Sequence, residues 1–146
     1  MGHNTKEDMV EIVSGIEVIN VQLQTVEVVG LQFYEYAAIA RDLTVGEELQ
    51  LQHEAWNEYD RKAIAIYYKD HKIGFVAKEQ NHLLHQLMGK EIPLTAYILD
   101  HNMNNGYMKG QQRLMVQVYM PYTFLITETI QANDLAEAAG HSIVFI

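Results

Sequence analysis

Ala63-Ile64-Ala65-Ile66-Tyr67-Tyr68-Lys69-Asp70-His71-Lys72-Ile73-Gly74-Phe75-Val76 is the stretch that decides the fold. Its halves, Ala63–Lys69 and Lys72–Val76, are rich in β-branched and aromatic side chains, and Asp70-His71 makes a turn between them. That pattern predicts a β-hairpin. Small and large residues alternate along Ala63-Ile64-Ala65-Ile66, as the inner face of a closed sheet prefers, which points Ile64 and Ile66 into the interior. Gly74 is expected to relieve crowding in the wall of the sheet.

Downstream of the hairpin, Lys78–Met88 predicts a helix with the narrow apolar stripe Leu83, Leu84, Leu87 and Met88, stopped by Gly89. Strands follow at Ile92–Leu99 and Arg113–Met120, with the Asn- and Gly-rich loop His101–Gly110 between them. Asp134-Leu135-Ala136-Glu137 has capping-box spacing, Gly140 is a helix stop, and His141–Ile146 reads as a last strand. Upstream, Glu48–Glu54 reads as a strand and Tyr36–Leu43 as a two-turn helix. Ile16–Phe33 reads as one or two strands, in which Gly30 marks a bulge or a close backbone approach. This order lacks the regular strand–helix–strand alternation of a parallel sheet. The expected fold is β-rich α+β: a small, mostly antiparallel β-barrel or curled sheet with two or three short flanking helices.

The chain of 146 residues is the size of one domain, with residues 1–15 a polar lead-in and 16–146 the domain itself. With 49% hydrophobic and 20% charged residues it can bury a core, and it is not disordered as a whole. The absence of cysteine excludes thiol catalysis, disulfide exchange, cysteine-ligated zinc and iron–sulfur clusters together. Met1–Asp8 is polar, without the apolar run of a signal peptide, and Lys6 breaks the myristoylation pattern. No apolar stretch approaches the roughly 20 residues that span a bilayer. A cytoplasmic protein with no membrane partner is expected.

A net charge of −9 opposes non-specific binding to nucleic acid unless the bases are gathered in one place. They are gathered in the sequence. Residues 27–60 hold eight acids against Arg41 alone, whereas residues 61–78 hold Arg61, Lys62, Lys69, Lys72 and Lys78 against Asp70 alone. This gives either a local positive patch or a solvated hairpin with scattered lysines.

Enzyme-like fragments fail one by one. His53-Glu54-Ala55-Trp56-Asn57 begins like a zinc-peptidase motif, but Asn57 stands where the second histidine is needed. Glu79-Gln80-Asn81-His82 has the spacing of a di-iron ligand pair but occurs once, and such sites need two. His82 and His85 can share a helix face, yet without a carboxylate or cysteine partner they read as solvated histidines. Asp100-His101 and His53-Glu54 are poor catalytic dyads, because neighbours on a strand face opposite ways. No phosphate-cradling glycine loop or nucleophile elbow occurs. No enzyme activity, cofactor or metal is expected.

Four segments in order, Val28-Val29-Gly30-Leu31-Gln32-Phe33-Tyr34, Gly46–Glu54, Asn57-Glu58-Tyr59-Asp60-Arg61-Lys62-Ala63-Ile64-Ala65-Ile66 and Lys72-Ile73-Gly74-Phe75-Val76-Ala77-Lys78, resemble a HIRAN domain. The resemblance is strongest over residues 26–100. That family occurs at the N-termini of Swi/Snf-class DNA translocases in replication-fork repair and as small free-standing bacterial proteins. The resemblance implies an OB-like barrel and a non-catalytic DNA-binding module, whose pocket in the best-understood members takes the 3′ end of single-stranded DNA. It implies an aromatic pair at Phe33 and Tyr34, loop polar groups at Asn57, Tyr59 and Asp60, and a phosphate-contacting lysine at Lys78. Gln32 stands where DNA-binding members often carry arginine, and Phe33 where the first aromatic is often tyrosine.

The chemistry of these residues suits that role. Faces of Phe33, Tyr34 and Tyr59 can stack any base, at about 1–3 kcal/mol each. Asn57 can donate to a phosphate oxygen, and Lys78 at a helix start is a phosphate perch. A carboxylate repels phosphate, so Asp60 fits only a ligand with a hydroxyl donor, such as a free 3′ end. The structural alternatives are that Asn57 and Asp60 make turns, that one of Phe33 and Tyr34 lies inward on a strand, and that Trp56 anchors a loop rather than stacking a base. The expected function is binding of single-stranded DNA or 3′-hydroxyl strand ends. The alternative is a protein-interaction or regulatory domain that has lost DNA binding, with a partner or self-association through residues 107–146.

Overall fold

The computed structural model describes residues 8–103 and 112–137, the side chains up to residue 134. Among the described residues six strands occur: β1 (Met9–Val29), β2 (Glu48–His53), β3 (Ile64–Tyr68), β4 (His71–Val76), β5 (Thr95–Asn102) and β6 (Arg113–Gln131). They close into a barrel in the order β1-β4-β3-β2-β5-β6, and the registered pairs are antiparallel. The helices are short: α1 (Tyr36–Ile39), α2 (His82–Gly89) and α3 (Ala132–Glu137), with 3-10 turns at Leu31–Phe33, Ala40–Asp42 and Lys78–Gln80. The β-rich barrel expected from the sequence is the fold observed.

The barrel proper is a compact unit of residues Asn20–Pro121. Its interior holds Val26, Val28, Leu49, Ile64, Ile66, Ile73, Ile98, Leu114, Val116 and Val118, with Leu84 of α2 and Tyr36 of α1 in the same cluster. Ile64 and Ile66 are fully buried, as their alternation predicts; Ala63 and Ala65 are buried too, so β3 is covered on both faces. Between β1 and β6 the buried Gln117 satisfies both ends of its side chain. Its amide donates to the carbonyls of Gln24 and Val118 at 3.1 and 3.2 Å, and its oxygen accepts from the Thr25 hydroxyl at 2.7 Å.

Two glycines are required by geometry. A Cβ on Gly74 would lie 2.5 Å from the Val29 carbonyl oxygen, so β4 approaches β1 this closely only without a side chain. Gly30 takes φ 78, ends β1 and starts the 3-10 turn rather than making a bulge. The period-two reading therefore stops at Val29, and Phe33 and Tyr34 are not strand neighbours. Both are exposed, and neither is core.

Other boundaries move for local reasons. The hairpin turns at Lys69, in the left-handed region at φ 52, so that His71 pairs with Tyr68 instead of forming the tip. The helix expected over Lys78–Met88 breaks at Asn81, whose side chain is committed elsewhere. Tyr36–Asp42 divides into α1 and a 3-10 turn.

The second unit is drawn, among the described residues, from 8–19 and 122–137. Residues 9–15, which the sequence assigns to the lead-in, lie in β1, where Val10, Ile12 and Val13 supply strand propensity. There the Ser14 hydroxyl donates to the Ile126 carbonyl, and the Ala132 N–H donates to the Asp8 carbonyl. β6 runs through Pro121 to Gln131, beyond the Met120 end expected, because Thr123, Phe124, Ile126 and Thr127 keep strand propensity after the proline. α3 starts two residues before the capping-box Asp134, which thus sits in its first turn. The loop expected over 101–110 begins only after β5 ends at Asn102. Its remainder at 104–110, like the strand expected at 141–146, lies outside the described residues.

Candidate nucleic-acid interface

An open cavity of about 340 Å³ is lined by Tyr34, Glu54, Trp56, Asn57, Glu58, Tyr59, Lys72 and Phe75. Tyr34 reaches it from the turn released by Gly30, Lys72 and Phe75 from β4, and the rest from the loop between β2 and β3. Tyr34 and Phe75 meet edge to face, with centroids 5.5 Å apart. The Lys72 ammonium lies 4.9 Å from the Tyr34 ring centroid and 4.5 Å from that of Phe75. Trp56 and Tyr59 are 72% and 93% exposed, which leaves their faces open to a planar ligand.

Beneath these rings lies an ordered polar base. Glu54 is only 2% exposed; its carboxylate binds the Lys72 ammonium at 2.7 Å and accepts from the Asn57 amide at 3.1 Å. The Asn57 side-chain oxygen in turn accepts from the backbone N–H groups of Tyr59 and Asp60, at 2.9 and 3.1 Å. Asn57 thus makes a turn and holds Tyr59 outward at the same time.

Asp60 lies at the end of this turn and does not line the cavity. Its carboxylate accepts from the Lys62 backbone N–H at 2.9 Å and from the Asn81 amide at 2.8 Å, which ties the loop to the start of α2. Burial works to raise its pKa, but the Lys62 N–H, the Asn81 amide and the charges of Lys78 and Lys62 outweigh burial, so the carboxyl sits below the usual range. Lys78 is exposed on the 3-10 turn before α2, near enough to Asp60 to act on its charge.

Of the residues singled out in the sequence, Tyr34, Asn57 and Tyr59 come together at the cavity. Gln32 lines a different opening of about 770 Å³, with Glu27, Tyr36, Ala37 and Met103 among its neighbours. Phe33 is 76% exposed on the same turn and lines neither. Lys72, Phe75 and Glu54 are site residues that the sequence does not reveal. Lys72 counts there only as one charge in the basic run, and nothing local in the sequence shows that Tyr34 and Lys72 meet. Trp56 faces the cavity, where the sequence leaves stacking and anchoring open.

No group of three histidine or carboxylate residues is placed to hold a metal among the described residues. Among them, too, no helix is long and apolar enough to cross a membrane.

A closed antiparallel barrel with short helices on its surface, carrying a cavity of aromatic rings around the Lys72–Glu54 pair, defines a small barrel of OB-like form. The chain belongs to the HIRAN domain family, which it matches over residues 21–123. Among solved structures, a protein from Lactobacillus plantarum is 27% identical, with a TM-score of 0.61 over 73% of this chain and 98% of that one. The HIRAN domain of human HLTF shares the fold at 18% identity, with a TM-score of 0.53 over 77% of this chain and 79% of that domain. No curated protein matches the chain.

Proposed function

We propose that this chain is a non-catalytic DNA-binding module that takes single strands, or their 3′-hydroxyl ends, at the Tyr34–Tyr59–Lys72 cavity. The observation that carries the reading is the set of open rings around one ammonium. Trp56, Tyr59, Tyr34 and Phe75 offer faces or edges for unpaired bases, and Lys72, whose charge Glu54 balances, lies against the Tyr34 and Phe75 rings. Base stacking on aromatic side chains is worth about 1–3 kcal/mol per base and is indifferent to sequence. In this reading the exposed Lys78 contacts a backbone phosphate, and the exposed Phe33 and Gln32, which lie outside the cavity, contact the strand beyond it. Asp60 is the candidate reader of the strand end. Its two observed bonds leave room on a carboxylate with about four lone-pair sites, and a terminal hydroxyl is a donor it can accept.

The test is a competition between 3′-hydroxyl and 3′-phosphate forms of one short oligonucleotide. Wild type should prefer the hydroxyl end, since a charged acceptor makes that bond worth about 1.5–3 kcal/mol. Asp60→Ala should erase the preference. Equal binding of both ends by wild type removes end recognition, and no binding of either removes the DNA reading.

One observation favours the second reading, a protein-interaction domain. The ribbon of the second unit exposes Ile16, Val18, Ile19, Leu125 and Ile126, and the acids Asp8, Glu11, Glu17, Glu128, Asp134 and Glu137 are accompanied by no lysine or arginine over 8–19 and 122–137. Such a surface suits a basic, apolar extended segment of a partner protein and repels nucleic acid.

A further inference from the structure

Beside the Asp60 turn stands a group of basic side chains that the cavity does not use. His53 from β2, Lys62 from the loop, and His82 and His85 from α2 converge there. The His53 and His85 rings pack edge to face with centroids 4.6 Å apart. The His53 Nε2–H donates to the Arg61 carbonyl at 2.7 Å. The Lys62 ammonium donates to His82 Nδ1 at 3.1 Å. His85 Nδ1 is buried without a hydrogen-bond partner among the described residues. Arg61, Lys62 and Lys78 enter no ion pair among the described residues.

The Lys62–His82 bond exists only while the His82 ring is neutral, because Nδ1 must offer a lone pair. Once protonated, the two groups are cations at contact distance, and an anion between them relieves the repulsion. The same holds for His53 and His85, which face each other. The charges that act on His85 are those of His53, Lys62 and His82, and of the Asp60 carboxylate, which opposes them.

We propose that His53, Lys62, His82 and His85 form a phosphate-binding subsite that fills as its imidazoles take up protons, adding a backbone contact to a strand held in the neighbouring cavity. The nucleic-acid part of this inference rests on the function proposed above; the anion subsite does not. Burial first, and then the charges of His53, Lys62 and His82, keep His85 below the ordinary histidine pKa in the free protein. A bound phosphate favours the charged form, so by linkage phosphate and protons each strengthen the binding of the other. Binding through this subsite is weak above the histidine range and grows as pH falls through it.

The experiment follows the histidine ring resonances by NMR through pH titrations, with and without inorganic phosphate. Phosphate should raise the midpoints of His53, His82 and His85, with a tenfold preference for the protonated form appearing as about one pH unit. His71, paired with Glu35, and His101, bonded to the Tyr36 hydroxyl and the Leu43 carbonyl, serve as internal controls and should not move. In parallel, a short labelled single strand should bind about fivefold tighter at pH 6 than at pH 8 for each imidazolium at phosphate distance. The exposed-site variant His82→Gln should lose part of that gain, and His82→Gln/His85→Gln most of it. Phosphate that moves all the histidines alike, or none, overturns the subsite. So does an equal pH gain in wild type and the double variant, which leaves the proposed function standing. Phosphate that moves the three histidines while no strand binds at any pH supports the anion subsite and overturns the DNA reading instead.

Discussion

Lys72→Met isolates the ammonium that joins the base of the cavity to its rings. In the wild type this group pairs with Glu54 at 2.7 Å, with side-chain exposures of 23% for Lys72 and 2% for Glu54. Removing one partner of a buried pair costs about 3–5 kcal/mol, because the other charge is left uncompensated. Here the lysine is partly solvated and Asn57 still donates to Glu54, so about 2–3 kcal/mol is the better figure for this pair. Loss of the contacts over Tyr34 and Phe75 adds roughly 0.5–1 kcal/mol, partly returned by the methionine sulfur against the same rings. The expected total is about 2–4 kcal/mol; with a urea slope of about 2 kcal/mol/M, the unfolding midpoint should fall by about 1–2 M. Glu54→Gln/Lys72→Met should then cost less than the sum of its singles, by about 1 kcal/mol or more. A Lys72→Met midpoint unchanged from wild type, or single costs that simply add, would refute a coupled pair beneath the rings.

Gly74→Ala should destabilise by about 1–3 kcal/mol in the same urea assay, since its Cβ meets the Val29 carbonyl oxygen at 2.5 Å and Val28 Cγ1 at 2.8 Å; a neutral result would mean that β1 and β4 do not approach this closely. Asp60→Asn tests the depressed carboxyl. A folded pKa below the unfolded value, about 3.9, gives stability that is present above that value and is lost as pH falls through it toward the folded pKa. The variant should therefore show a flatter fall in stability between about pH 5 and pH 2 than wild type, and parallel curves would contradict the assignment.

The barrel was legible because its signals are local. Alternation along Ala63–Ile66, the hairpin pattern to Val76 and the run of β-branched residues each fix a strand without knowledge of its partner. The ends of elements were less so. Gly30 looks like a point of strain inside a strand, but its left-handed φ ends the strand and frees Phe33 and Tyr34, and only the backbone conformation distinguishes the two. Asn81 breaks a helix that the apolar stripe predicts as continuous, because its amide is spent on Asp60, a residue distant in sequence. The cavity divides in the same way. Asn57, Tyr59 and Asp60 belong to one short loop and could be read together, whereas Tyr34, Glu54 and Lys72 meet only through the pairing of β4 with its neighbours. Lys72 was therefore visible as charge and invisible as part of a site.

The central claim, that the open aromatic cavity takes unpaired bases, is tested most directly by the fluorescence of Trp56, the one tryptophan of the chain, which lines it. Titration with a short single-stranded oligonucleotide should quench this emission saturably, as a base stacks on or beside the indole. The affinity should fall with log salt at a slope of about −1.4 to −2.8 for two to four phosphates contacted. Tyr59→Ala, at a fully solvated position, should weaken the binding about fivefold or more without changing stability, since a stacking contact is worth about 1–3 kcal/mol. Binding that leaves Trp56 unquenched and is indifferent to Tyr59→Ala, or the absence of binding at low salt, would contradict the account.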